Sequence, residues 1–194
     1  MSLSFVERIS EAPDERAEEL HAVLATLNLP DARLSPEQLE LVVNTLAARP
    51  DLWQDLIVAD HQSRWWLLLY RTPGYEVKLL TWENDQESDW HDHGGSAGAF
   101  RVTQGSLREH HRAKDSIGVD SAIFGPGGYG SFGTDYVHDV VHETGDPAVS
   151  IHAYSPPLSG LTYYERTRFG FVAREFIEEE RRSTFRTTPP HFAD

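Results

Sequence analysis

Two histidines separated by one residue, His91 and His93, have the types and spacing best suited to chemistry in this sequence. On an extended strand, residues two apart project to the same face, so both imidazoles can contact one metal ion. Asp92 lies between them and is expected to point to the opposite face. The pattern therefore predicts a His-x-His metal site, not the His-x-Asp pattern of an iron site with two histidines and one carboxylate.

Glycines follow this histidine pair closely. Gly94, Gly95 and Gly98 come directly after it, and Gly105 lies at the end of the next predicted strand. Glycine removes side-chain bulk where a ligand must approach the backbone, and it accepts the backbone angles of a turn. We therefore expect a binding site followed by a turn.

A second polar cluster lies later in the chain. Ser150, His152 and Tyr154 alternate with apolar residues, so they share one face of a predicted strand. A buried polar row is costly unless hydrogen bonds or a metal satisfy it, and a binding site supplies both. We expect this row to face the same site as the histidine pair.

A further metal ligand has two candidates, His138 and His142. If the chain forms a hairpin around Gly145, His138 lies directly opposite His152, and directly opposed residues share a face. In that register His142 opposes Ala148 near the tip of the hairpin. The pairing favours His138, although a β-bulge would reverse the choice.

These two segments carry a resemblance to known proteins. Residues 91–105 resemble the first motif of the cupin family, His-x-His followed by Glu and then Gly, with Gly98 in the position of the Glu. Residues 150–157, SIHAYSPP, resemble the Ser-x-His-x-Tyr-Ser-Pro-Pro segment of cysteine dioxygenases. The resemblance spans roughly residues 64–165. It implies an Fe(2+) ion bound by His91, His93 and His138, with His152 hydrogen-bonded beside Tyr154.

The activity implied by the resemblance is thiol dioxygenation, a step of cysteine metabolism. Three neutral imidazoles leave three positions of an octahedral ferrous ion open, enough for a chelating aminothiol and O2. Without a carboxylate ligand the metal keeps its full charge, which favours a thiolate. Transfer of both oxygen atoms to sulfur would convert L-cysteine into cysteine sulfinic acid.

A substrate carboxylate requires a cation, and the fork of an arginine suits it better than a lysine. The resemblance assigns this substrate-binding role to Arg64, with Arg71 as a weaker alternative. Relatives that act on 3-mercaptopropionate carry glutamine in this position, and Gln62 is two residues from Arg64. Tyr154 is expected to hydrogen-bond bound oxygen or the carboxylate, while Ser150 and His152 complete the catalytic group.

The chain contains no cysteine, which excludes disulfides, zinc-cysteine clusters and a cysteine nucleophile. Mammalian family members have a cysteine in the Gly98 position that is cross-linked to the tyrosine. That thioether cannot form here, so Tyr154 is expected to be a free phenol.

Charge and hydropathy restrict the partners. The formal net charge of -14 and the scarcity of basic clusters argue against nucleic acid and anionic membrane surfaces. The sequence shows neither an apolar run of membrane-spanning length nor the pattern of a signal peptide at its start. We expect a cytoplasmic monomer whose partners are a small thiol and O2.

The elements that would position these residues are helices followed by short strands. Helices are predicted over residues 15–28 and from Ser35, an N-cap with a capping box, to Pro50. A short helical or irregular segment is predicted over residues 51–60. Strand patterns follow in the ranges 64–70, 75–82, 99–104, 107–112, 121–124, 130–132, 136–142, 148–154 and 161–165.

The resulting fold class is an all-β core, a cupin double-stranded β-helix barrel behind an N-terminal helical prefix. We assign residues 1–60 to the prefix, 61–170 to the barrel, and 171–194 to a C-terminal helix and tail of a single domain.

Two other classes of function fit the same histidines. Three histidines can hold a catalytic zinc that activates water for hydrolysis. A non-enzymatic cupin that binds a small ligand would not consume oxygen. Metal analysis combined with thiol-dependent oxygen uptake separates these alternatives.

Overall fold

The structure is a computed structural model that describes residues 14–61, 64–113, 118–143 and 145–179. Gln62, the alternative substrate-binding residue, lies outside the described residues, as do the first thirteen residues and residues 180–194 of the predicted tail.

Two helices precede the strands, α1 (Asp14–Ala25) and α2 (Pro36–Ala47). The capping box predicted at Ser35 is present: its hydroxyl accepts from the Gln38 N–H, and the Gln38 side chain accepts from the Ser35 N–H. The predicted apolar face of α2 is buried. Short 3-10 turns follow at Pro50–Leu52 and Gln54–Leu56. Among the described residues, no helix is both long and apolar enough to cross a membrane.

Ten strands make up the rest of the described chain. All nine segments predicted to be extended form strands. The strands are β1 (Trp66–Arg71), β2 (Glu76–Trp82), β3 (Ala97–Gln104), β4 (Leu107–Ala113), β5 (Asp120–Phe124), β6 (Tyr129–Phe132), β7 (Tyr136–His142), β8 (Ala148–Ser155), β9 (Gly160–Thr167) and β10 (Gly170–Glu178).

The tenth strand corrects the prediction of a C-terminal helix from residue 171. β10 pairs antiparallel with β9 along its length, after a tight turn in which Gly170 has a φ of 124° and Thr167 Oγ1 donates to its carbonyl. The charged run at the end of this segment suggested a helix, but pairing with a neighbouring strand overrides local propensity.

The strands form two facing layers. One sheet has the order β1-β2-β8-β3-β6. The other layer contains β5-β4-β7 and β10-β9, and residues 87–92 bridge β7 to β9 through His91, which pairs with both His138 and Tyr163. The predicted β7–β8 hairpin is therefore wrong, because β8 lies between β2 and β3 while β7 pairs with β4.

The central strands β2 and β8 are buried on both faces. Their outward side chains, including Val77, Leu79 and Ile151, join one apolar cluster with the buried faces of α1 and α2. Their inward side chains face the space between the two layers. The polar row of β8 is inward, as the alternation predicted, and this places it in the barrel interior.

Candidate metal centre and cavity

Three buried histidines converge in the barrel interior. His91, His93 and His138 each offer a ring nitrogen, and these atoms all lie within 4.8 Å of one another. His91 makes two isolated bridges and His93 lies in the loop before β3, so the expectation that both occupy one strand is wrong. Asp92 does turn away, and accepts from the Gly94 N–H at 2.9 Å and the Tyr164 hydroxyl at 2.7 Å.

Hydrogen bonds orient two of the rings. His91 Nδ1–H donates to the Asp89 carbonyl at 2.8 Å, and His138 Nδ1 lies 2.7 Å from Glu109 Oε1. A ring whose Nδ1 proton is donated presents Nε2 as an unprotonated metal ligand. The His93 ring is stacked between Phe132 and Tyr154, with centroid distances of 4.6 and 5.3 Å. This donor set fits a borderline transition metal such as iron or zinc.

Glu109 is a buried carboxylate that sequence reasoning missed. Burial acts to raise its pKa, but the hydrogen bond from His138 and the electrostatic interactions with His138 and His111 outweigh burial and lower the pKa below its usual value. Glu109 is therefore an anion beside a histidine of the cluster. Glu109 follows Leu107 by two residues on β4, and this spacing could have predicted that both side chains face the interior.

The polar row of β8 is hydrogen-bonded from end to end. Trp82 Nε1–H donates to Ser150 Oγ at 2.9 Å, Ser150 Oγ lies 2.8 Å from His152 Nε2, and His152 Nδ1 lies 3.2 Å from the Tyr154 hydroxyl. Both ring nitrogens of His152 are thus engaged outside the three-histidine cluster. Burial is the main cause that lowers the pKa of His152 to about 3, and electrostatic interactions with His138, Arg64 and Lys78 act in the same direction.

Arg64 lines the same cavity as His91, His138, His152 and Tyr154. It is 7% exposed; its guanidinium lies 4.9 Å from the Trp82 ring centroid and donates to the Glu87 carbonyl at 3.2 Å. A buried guanidinium facing a cavity is a strong anchor for an anion, because water screens it poorly.

The two alternative candidates, Arg71 and His142, lie elsewhere. Arg71 is about half exposed and 3.7 Å from Glu76, and it is not part of the cavity wall. His142 Nε2 lies 3.1 Å from the Asp146 carbonyl near the end of β7. The structure thus places His138 beside His91 and His93, although the hairpin argument that favoured His138 was wrong. His138 lies there because its backbone pairs with that of His91.

Lys78 was also missed by the sequence reasoning. It is buried in the cavity wall, with its Nζ 3.2 Å from Glu76 Oε1, paired with Glu179, and 4.4 Å from the Trp66 ring centroid. Alternation along β2 could have predicted that Lys78 faces the interior. In the sheet, Lys78 pairs directly with His152. Two carboxylates neutralise this ammonium.

Gly98 pairs with both Tyr154 and Phe132. A Cβ atom built at Gly98 would lie 2.4 Å from the nearest atom of the Phe132 ring. The aromatic ring therefore occupies the space that a larger residue would need beside Tyr154.

Comparison with known proteins identifies the family of this chain. The model of the family "Cysteine dioxygenase type I" matches residues 20–167, about three quarters of the chain. The chain belongs to this family. The prediction of an all-β cupin core with an N-terminal helical segment is confirmed, and the family is one of cupin thiol dioxygenases.

Solved structures show more distant likenesses. The protein TT1209 from Thermus thermophilus is 17% identical, with 54% of this chain and 93% of that one covered, at a TM-score of 0.47. A cupin superfamily protein from Desulfitobacterium hafniense is 10% identical, with 53% and 86% covered, at 0.45. A Klebsiella pneumoniae protein with a double-stranded β-helix domain is 14% identical, with 63% and 93% covered, at 0.45. All three TM-scores are below 0.5, so the family membership rests on the sequence match.

Proposed function

We propose that this protein is a non-haem Fe(II) dioxygenase that oxidises L-cysteine with O2 to cysteine sulfinic acid in the cytoplasm. The observation that carries the proposal is a single cavity whose wall contains two members of the three-histidine cluster, the buried Arg64 and Tyr154. Family membership supports the reaction class. The cavity supports a small substrate that presents an anionic group at one end and a metal-binding group at the other.

His91, His93 and His138 would hold the iron. When bound there, a ferrous ion would supply the redox chemistry by which the two atoms of O2 are added to a thiol sulfur. The stoichiometry balances, since one thiol and one O2 give one sulfinic acid with no further reductant.

Arg64 would hold the substrate carboxylate. The guanidinium offers a planar fork of donors that matches a carboxylate, and the face of Trp82 stabilises it in place. Tyr154 would hydrogen-bond the substrate, while Ser150 and His152 keep its hydroxyl in position. Apolar side chains on the other walls limit water around the thiol; these are Leu80, Val140, Leu158 and Leu161.

The deciding experiment combines metal analysis with oxygen uptake. We expect purified protein to bind about one iron per chain and to consume one O2 per cysteine, with sulfinic acid as the product. His138→Ala should lose iron, and the matched variant His142→Ala should retain it. A zinc-loaded protein that hydrolyses a substrate without consuming O2 would contradict the proposal, as would iron loss only in His142→Ala.

The substrate is tested by Arg64→Gln. A charge-assisted contact is worth about 1.5–3 kcal/mol, so we expect kcat/KM for cysteine to fall roughly 10- to 150-fold, mostly through KM. 3-Mercaptopropionate should lose less, because it binds without an amine and can place its carboxylate elsewhere. Arg71→Gln is the control and should leave both substrates nearly unchanged. Equal losses of kcat/KM on both thiols, or a wild-type preference for 3-mercaptopropionate, would show that Arg64 does not select the substrate. Gln62 would then be the residue to test.

A further inference from the structure

Asp92 lies between the two histidines of the His-x-His pair, and it is 5% exposed although it turns away from them. Its carboxylate accepts three hydrogen bonds. Oδ1 accepts from the Gly94 N–H at 2.9 Å and from the Thr162 N–H at 3.4 Å, and Oδ2 accepts from the Tyr164 hydroxyl at 2.7 Å. The Asp92 backbone N–H also donates to the Thr162 carbonyl at 3.0 Å. This side chain therefore joins the loop that follows it to strand β9.

The hydrogen bond from Gly94 spans His93. An aspartate carboxylate that accepts from the N–H two residues later closes an Asx turn, which restricts the backbone of the residue between them. Gly94 has a φ of 60°, and a Cβ atom there would lie 2.7 Å from the Gly160 carbonyl oxygen, so the turn is packed directly against β9. The backbone position of His93 therefore depends on the carboxylate of Asp92.

Tyr164 anchors this turn to a regular strand. Its backbone is held in β9, and its N–H donates to the Trp90 carbonyl at 2.8 Å. Burial, followed by the hydrogen bond to Asp92 and the charge of Asp92, raises the pKa of the Tyr164 phenol, so the hydroxyl is protonated and donates to the carboxylate. The turn around His93 thus inherits the position of the sheet.

The other two histidines of the cluster are held by different contacts. His91 and His138 exchange two backbone hydrogen bonds at 2.9 and 3.0 Å, and each ring is oriented at Nδ1 by its own partner. His93 lies beyond this pairing, at the start of a glycine-rich loop. Its ring is stacked between two aromatic rings, which hold the plane of the imidazole but restrict sliding within that plane only weakly. The constraint along the plane comes from the backbone turn.

We propose that Asp92 is a positioning residue that sets the reach of His93 toward the metal, through the Asx turn and its anchor on Tyr164. Neither Asp92 nor Tyr164 is part of the cavity wall, so their effect on metal binding passes through the backbone of His93. The inference rests on the proposed function only for the identity of the metal. Zinc serves as the probe, so the result does not depend on whether the protein oxidises a thiol.

The first test titrates metal-free protein with zinc against a chromophoric chelator. Asp92→Ala should weaken zinc binding about 10- to 100-fold, as the loss of contacts that support metal ligands typically does. Asp92→Asn should lie within about threefold of the wild type, because the amide oxygen accepts from the Gly94 N–H and the amide N–H donates to the Tyr164 oxygen. Wild-type affinity in Asp92→Ala, or an Asn variant as weak as the Ala variant, would overturn the proposal.

The second test is a double-mutant cycle on zinc affinity with His93→Ala, a variant that retains His91 and His138. If Asp92 acts through His93, then Asp92→Ala should cost at most about twofold in the His93→Ala background. The same loss in both backgrounds would show that Asp92 supports the fold or another ligand, and its role toward His93 would be refuted.

The third test removes only the anchor. Tyr164→Phe should weaken zinc binding about 2- to 10-fold, the size of one hydrogen bond. Tyr70→Phe is the matched control, because it removes the hydroxyl of another half-buried tyrosine, 2.8 Å from His21 Nδ1 on the helical side of the barrel. Both metal-free variants should lose comparable stability in urea titrations, but Tyr70→Phe should keep the zinc affinity of the wild type. Equal zinc affinity in the two variants would count against the proposal, and this comparison decides the matter if Asp92→Ala does not fold.

Discussion

Glu109→Gln separates the charge of a buried carboxylate from its hydrogen bond. Glu109 Oε1 lies 2.7 Å from His138 Nδ1, and the two side chains are 4% and 2% exposed. Glutamine retains an oxygen acceptor of the same reach, so the His138 ring should keep its orientation. The negative charge, which raises the basicity of the ligand ring, is lost.

The expected magnitude follows from this geometry. Partners that hydrogen-bond to metal-ligating histidines typically contribute 10- to 100-fold in metal affinity, about 1.4–2.8 kcal/mol at 1.4 kcal/mol per tenfold. The short contact and near-complete burial favour the upper half of that range, because a buried ion is poorly screened by water. Glu109 also interacts with the Tyr136 hydroxyl, a group that can donate to a carboxylate or accept from an amide.

The assay is a competition titration of metal-free protein against a chromophoric chelator, with zinc and with anaerobic Fe(II). Glu143→Gln is the matched control, because it neutralises a partly exposed glutamate paired with Arg108. It should bind metal as the wild type does. Affinity of Glu109→Gln within twofold of the wild type for both metals would refute the reasoning, provided that its thermal unfolding shows a folded protein.

Three further outcomes are expected. Gly98→Ala should lower the free energy of unfolding by about 1–3 kcal/mol in urea titrations, because the new Cβ meets the Phe132 ring; an unchanged midpoint would contradict this. The intact mass should show no two-hydrogen loss, since the chain has no cysteine to cross-link to Tyr154; a deficit mapped to that peptide would exclude a free phenol. The free energy of unfolding of the wild type should decline as pH falls from 6.5 toward 3, by up to about 1.4 kcal/mol per pH unit. The reason is that His152 takes up a proton in the unfolded chain but not in the folded protein, where its pKa is about 3. His152→Gln should lack that part of the slope, and an identical slope would show that His152 is not buried in neutral form.

Local patterns in the sequence predicted both helices and nine of the ten strands of the described residues, and several of the side chains that line the cavity. The period-two alternation of β8 determined that Ser150, His152 and Tyr154 share one face, because successive side chains of a strand must point to opposite sides. The capping box at Ser35 determined where α2 begins, since its partners are three residues apart. The spacing of His91 and His93 brought two ring nitrogens together even though the segment is bridged and not a regular strand.

Strand partners were decided only by the tertiary structure. His138 and His142 lie on the same strand face, so periodicity could not choose between them. The choice depended on the bridge from His138 to His91, more than forty residues earlier in the chain. The same holds for β10. Its charged sequence suggested a helix, but in the structure pairing with β9 satisfies its backbone hydrogen bonds. Which strands pair depends on how both faces of the sheets are covered, and that is a property of the whole chain.

The contacts of Glu109 and Trp82 likewise could not be obtained from spacing. Each is one inward residue of a strand, with a partner 29 or 68 positions away in the sequence. The sequence by itself determined which side chains face the interior, because that depends on local periodicity. The folded barrel determined which of them touch, because distances between layers arise only when the two sheets close over the same cavity.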